Sequence, residues 1–221
     1  MMTMRGTSRL IGALFGLALF AAAGPAKATL FMEVGEIGET IGTHQVLPGG
    51  TTSIQGFMAR TDPSPADLFE FGWGGGFFEV QTAEPTLDTQ LFLFDAAGLG
   101  ITANDDANPP GGFKSRITLA NLAPGFYFLA ISEWDWDPFS AGGRIFGSGN
   151  GNSGPTGPGG AQPLIGWGQY ANKVDDTAYT INLNGPTLAV PQNQQIPEPS
   201  AFALFAIALG GLGFMARRRV R

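Results

Sequence analysis

The chain has 221 residues, no cysteine, a single histidine and a formal net charge of −6. Neither disulfides nor thiolate chemistry is open to it, and one histidine excludes a His-rich zinc site. The charge is uneven: residues 29–196 hold 17 of the 18 acids against Arg60, Lys114, Arg116, Arg144 and Lys173, so this part carries −12 and repels nucleic acid and anionic lipid.

Residues 1–28 have the parts of a secretory signal peptide. Arg5 and Arg9 give a positive start, Leu10 to Ala23 is an uncharged apolar run, and Ala26-Lys27-Ala28 is a small-x-small cleavage site. Fourteen helical residues span roughly 21 Å, too short for a comfortable membrane crossing. Cleavage by signal peptidase then leaves Thr29 as the first residue.

Residues 29–185 read as one all-β domain. Short β-branched and aromatic runs are cut by Gly, Pro, Asn and Asp, which predicts strands at Ile41–Val46, Thr52–Met58, Asp67–Trp73, Phe77–Thr82, Thr89–Phe94, Arg116–Ala120, Phe126–Glu133 and Ala178–Leu183. In the last, Tyr179, Ile181 and Leu183 face one way, Thr180 and Asn182 the other. Leu91–Phe94 and Phe126–Leu129 are apolar on both faces, as in a central strand with its second face under a loop or partner. The pattern predicts a single β-sandwich, jelly-roll-like, with Phe69, Leu91, Leu93, Phe128 and Ile181 in its core. His44 falls on an early strand as a surface residue; no Gly-x-Ser-x-Gly elbow accompanies it, so a Ser-His-Asp hydrolase finds no support.

The order Asp67-Leu68-Phe69-Glu70-Phe71, Leu87-Asp88-Thr89-Gln90-Leu91-Phe92-Leu93-Phe94-Asp95, Gly98, Asn104-Asp105-Asp106, Ser115-Arg116-Ile117 and Leu122-Ala123-Pro124-Gly125-Phe126-Tyr127 resembles the bacterial pre-peptidase C-terminal domain. That family is a small β-sandwich appended to secreted peptidases and surface proteins, and the likeness covers residues 41 to 185. Asp67, Asp88, Asp95, Asp105 and Asp106 fall at strand ends or turns. The resemblance implies calcium in some members, and extracellular calcium prefers clustered carboxylate oxygens, which makes Asp88, Asp105 and Asp106 the candidate ligands. Turn formation is the competing explanation, since Asn and Asp side chains bond nearby backbone, and the EF-hand loop is absent.

Glu133, Asp135 and Asp137, read as one extended segment, share a face opposite Trp134 and Trp136. Acids beside aromatics suit a solvated strand end, carbohydrate stacking or calcium better than hydrolysis, because neighbouring carboxylates on one strand point in parallel instead of flanking a substrate. Residues 142–168 hold 11 glycines and only two aromatics, Phe146 and Trp167. This composition predicts a long mobile loop; the alternative is a Gly-rich strand pair resting on those two rings. Residues 186–196 read as a polar, Pro-bearing linker.

The chain closes on Pro197-Glu198-Pro199, an apolar run from Ala201 to Ala216, and Arg217, Arg218, Arg219 and Arg221. Sixteen helical residues span roughly 24 Å and the arginines hold their end in the cytoplasm, the pattern of a transmembrane stop-transfer helix. The three parts in this order resemble the PEP-CTERM sorting signal of Gram-negative bacteria that make exopolysaccharide. The resemblance implies exosortase as processing partner, transient inner-membrane anchoring, and a destination on the cell surface or in the extracellular matrix. The expected function is a non-enzymatic structural or interaction module associated with exopolysaccharide, with a calcium-assisted carbohydrate-binding module using Trp73, Trp134, Trp136 or Trp167 as the alternative. A secreted hydrolase is third. Neither a catalytic residue nor a cofactor other than calcium is expected.

Overall fold

A computed structural model describes residues 29–35, 38–58, 66–83, 88–107, 112–147, 151–169 and 177–191. The signal peptide, the Ala201–Ala216 run and the sorting residues Pro197, Glu198, Pro199, Arg217, Arg218 and Arg219 lie outside them. The described residues are all-β: β1 (Thr29–Met32), β2 (Gln45–Val46), β3 (Thr51–Met58), β4 (Ala66–Trp73), β5 (Gly76–Thr82), β6 (Thr89–Asp95), β7 (Gly100–Asn104), β8 (Arg116–Leu122), β9 (Gly125–Glu133), β10 (Trp136–Ser140), β11 (Gly143–Arg144), β12 (Gly166–Gln169) and β13 (Thr177–Leu183). Among them, no helix is long and apolar enough to cross a membrane.

Two five-stranded sheets, β1-β3-β13-β5-β8 and β2-β4-β9-β6-β7, face each other, and a three-stranded sheet β11-β10-β12 lies outside them. Strict alternation supplies the facing sides: Ile54, Val80, Ile117 and Ile181 from the first sheet meet Phe69, Phe71, Leu91, Leu93, Leu129 and Ile131 from the second. Phe71 stacks on Phe78 across the gap with ring centroids 5.8 Å apart. Tyr179, Ile181 and Leu183 are buried on one face, as their period of two requires.

The strands that are apolar on both faces are central ones. β9 pairs with β4 on one side and β6 on the other, and its second face, with that of β6, carries Phe92, Phe94, Phe128 and Ala130. Phe128 therefore belongs to an outer cluster, not to the core between the two large sheets. What covers it is the segment from Trp136 to Gln169. Ile145, Phe146 and Leu164 are buried there, and the Phe146 ring lies 5.6 Å from both Phe92 and Phe94.

The described part of residues 142–168 is thus a packed cover, and the composition reading of a long mobile loop is corrected. It enters the third sheet at both ends, through Ser140↔Gly143 and Phe139↔Gly166. Glycine serves close approach here. A Cβ on Gly157 would run into the Arg144 carbonyl, and one on Gly159 into the Gly143 carbonyl. The glycines let backbone lie on backbone, so the segment needs few large side chains to hold its place.

The boundary at residue 185 is also corrected. Thr187 is buried and binds the Pro48–Thr51 turn, donating from N to the Thr51 carbonyl (2.9 Å) and from Oγ1 to the Pro48 carbonyl (2.7 Å). It accepts from Gly50 N at its carbonyl (2.7 Å) and from Thr51 N at its Oγ1 (3.1 Å). Leu188 then bridges Gly72 on the edge of β4. Residues 186–188 are part of the domain, and a linker can begin only after them.

Candidate functional site

The hairpin of β6 and β7 places Leu91 opposite Asn104, while β6 pairs with β9 through Thr89 and Glu133. Three strand ends therefore converge at one pole of the sandwich. Asp88 precedes β6, Asp105 and Asp106 follow β7, and Asp135 follows β9. Carboxylate oxygens of Asp88, Asp105 and Asp106 all lie within 4.8 Å of one another. The Asp88 carbonyl accepts the Trp134 N–H (2.8 Å), and Asn104 Oδ1 accepts the Arg116 N–H (2.6 Å), so backbone bonds fix the acids from two sides.

Electrostatics follow from that convergence. Asp105 is 9% exposed, and its Oδ1 has no hydrogen-bond partner among the described residues. Burial, then the charges of Asp88, Asp106, Asp137 and Asp135, push its carboxyl up to about 7. Asp137 is raised by burial as well, but the Arg144 guanidinium 2.9 Å away works against the rise, as does a hydrogen bond from Gln90. A cavity of about 230 Å³ opens beside the acids, lined by Gln90, Asp105, Trp134, Asp135, Asp137 and Arg144 among others.

Three oxygen ligands of negative charge, one carrying a buried lone oxygen, suit a hard cation such as calcium. Such an ion would be held by Asp88, Asp105 and Asp106 and would offset their mutual repulsion. The hydrogen bond from Asn104 Nδ2 to the Asp106 carbonyl (3.3 Å) shows that turn formation operates at the same residues.

The remaining acids separate. Asp95 sits at the opposite pole, where its Oδ1 accepts the Ala97 and Leu99 N–H groups, each at 2.9 Å, as a turn former. Asp67 points between the two large sheets, and its carboxyl is hydrogen-bonded to the buried Tyr179 hydroxyl, whose pKa is raised by burial and by Asp67 and Glu33. It belongs to neither turn nor cluster.

The shared face expected for Glu133, Asp135 and Asp137 does not form. Asp135 has φ 71° and turns the chain from β9 into β10, which resets the alternation. Ser132 Oγ pins that turn by donating to the Trp136 carbonyl (2.8 Å). Of the four tryptophans, Trp73 is buried in the core, and Trp167 packs edge-on to Phe92 while its Nε1–H donates to the Glu39 carbonyl (2.7 Å). Trp136 is half-buried on β10. Trp134 is 36% exposed and lines the cavity. His44 is half-buried, with one ring nitrogen 2.6 Å from the Ile41 carbonyl and the other 3.0 Å from Glu70, its ring against Phe128. Gln90 and Arg144 are site residues that strand periodicity does not single out.

Residues 195–219 match the family described as the PEP-CTERM protein-sorting motif. This chain carries a PEP-CTERM sorting signal. The signal implies an exported protein, processed by signal peptidase and exosortase and brought to the cell surface through a membrane-anchored intermediate. No curated protein matches the chain. Among solved structures, the pre-peptidase C-terminal domain of a collagenase from Bacillus anthracis is similar at 13% identity and a TM-score of 0.33, covering 71% of this chain and 95% of that one.

Proposed function

We propose that this PEP-CTERM protein is a non-enzymatic interaction module of the cell surface or extracellular matrix of a Gram-negative bacterium, associated with exopolysaccharide. The observation that carries this reading is the meeting, at one cavity of about 230 Å³, of an exposed indole, Trp134, with fixed carboxylates and Arg144. An indole face stacks on the apolar face of a pyranose, and the carboxylates and guanidinium supply acceptors and donors for hydroxyls. The cluster Asp88, Asp105 and Asp106 favours calcium as an aid, since an ion there would steady the wall that holds Asn104 and Trp134.

A hydrolase would need two carboxyls opposed across a substrate; Asp137 is instead tied to Arg144. The test is a glycan array of the described domain with and without calcium. Binding that needs calcium and is lost in Trp134→Ala supports the reading. Release of new reducing ends from a bound polysaccharide would replace it with an enzyme.

A further inference from the structure

Strand register places the two ends of the domain close together, and both far from the acidic cavity. Thr29, the first residue after the signal-peptide site, pairs with Thr51, and Thr51 is also the residue bound by Thr187. Leu188 leaves beside Gly72, which pairs with Phe126 at the start of β9. The acids gather instead at the far end of β9, where Glu133 pairs with Thr89. Eight residue steps of strand separate Gly125 from Glu133, roughly 26 Å at about 3.3 Å per residue.

We propose that the membrane-held protein stands with the Thr51–Thr187 pole toward the bilayer and presents the acidic cavity away from it. This rests on the sorting signal and on neither the ligand nor the calcium reading. Two independent features act in the same direction. After signal-peptidase cleavage the one tether starts from that pole: twelve residues separate Leu188 from Ala201, at most roughly 45 Å. The opposite pole carries Asp88, Asp105, Asp106, Glu133, Asp135 and Asp137 against Lys114, Arg116 and Arg144, an excess of negative charge that an anionic bilayer surface repels within a Debye length of about 8 Å. The cavity is then offered to the surroundings while the protein is still anchored, before any cut near Pro197-Glu198-Pro199.

The chain has no cysteine, so single cysteines report position without a background. The full chain, with its tail, is placed in phosphatidylglycerol-containing vesicles whose headgroups bear an energy-transfer acceptor. Donor dyes go on Ala96→Cys and Ala123→Cys at the near pole, and on Phe57→Cys and Phe113→Cys at the far one; all four side chains are exposed. Two positions per pole guard against one variant that fails to fold. Transfer should be severalfold stronger from positions 96 and 123 than from 57 and 113, in anionic and in neutral vesicles alike. Equal transfer from both poles, or the reverse order, overturns the proposal. Neither result depends on glycan or calcium binding.

Discussion

The sheet β2-β4-β9-β6-β7 is buried on both faces, by different means. Its inner face meets a second five-stranded sheet and is filled by bulk: Phe69, Phe71, Leu91, Leu93, Leu129 and Ile131 against Ile54, Val80, Ile117 and Ile181. Its outer face is covered by Trp136 to Gln169, in which Ile145, Phe146 and Leu164 are the only large residues fully committed among those described. The rest of the cover is held by backbone contacts, such as Ile145 N–H to the Pro138 carbonyl (2.9 Å) and Gly159 N–H to the Arg144 carbonyl (2.9 Å). Equal dryness can thus come from large side chains or from peptide groups packed without side chains. The two differ in how a change spreads.

Damage to the inner face should be largest and global. Leu93→Ala is expected to cost about 2–5 kcal/mol and to lower one cooperative melting transition of both regions together. Phe128→Ala, on the outer face, should cost a similar amount but strip hydrogen-exchange protection from Ile145 first. If both variants melted like the parent chain, the assigned facing of β6 and β9 would be wrong.

Calcium should act at the seam between the two regions. An ion at Asp88, Asp105 and Asp106 bound only by the folded chain adds about 2.7 kcal/mol at a hundredfold excess over its dissociation constant. Magnesium at equal ionic strength should do less, because it keeps its waters and demands a tighter octahedron. Asp105→Asn with Asp106→Asn should erase the difference between the ions. Equal shifts from both ions in the unmutated domain would reduce the effect to charge screening.

A smaller effect is expected from the cover alone. Gly157→Ala forces a methyl group against the Arg144 carbonyl, a misfit of about 1–3 kcal/mol. It should loosen residues 143–146 in hydrogen exchange while the amides of β4 and β9 stay protected. Loss of protection throughout would mean that cover and sandwich are one cooperative unit.

The smallest expected effect is one of pH. The Asp105 carboxyl is raised to about 7 in the folded chain, so the folded state holds its proton more tightly than the unfolded state does. The stability this gives is complete below the ordinary carboxylate range near pH 4 and is lost as the pH rises through about 7. The calcium-free domain should melt a few degrees lower at pH 8 than at pH 5, and Asp105→Asn should shrink that gap. An unchanged gap in the variant would assign the slope to other carboxylates.

Much of this layout was legible wherever side chains alternate. Tyr179, Ile181 and Leu183 share a buried face, and the doubly apolar runs at 91–94 and 126–129 mark central strands with something over their second face. Reading failed where the backbone departs from its period. One residue with positive φ, Asp135, scrambles the facing of its neighbours, and the 142–168 segment hides packing that no hydrophobicity count registers because glycine contributes almost none. The grouping of Asp88 with Asp105 did leave a trace in the sequence. They flank the outer ends of two strands joined by the Asp95–Leu99 turn, so closing that hairpin brings both to its open end, where the register sets Leu91 opposite Asn104. Arg144 left none, since it reaches Asp137 from a strand two residues long.

The position of β13 has a consequence for how the protein is made. The first large sheet runs β1-β3-β13-β5-β8, so the last of the described strands fills its centre, and β3 and β5 are joined only through it. A chain threading outward from its N-terminus exposes β3 and β5 as two open edges for the whole of export. Residues 177–183 emerge only just ahead of the sorting signal at 195–219. Closure of the sheet therefore comes late in synthesis, and until residues 177–183 have emerged the facing edges of β3 and β5 stay open to pairing with those of a neighbour.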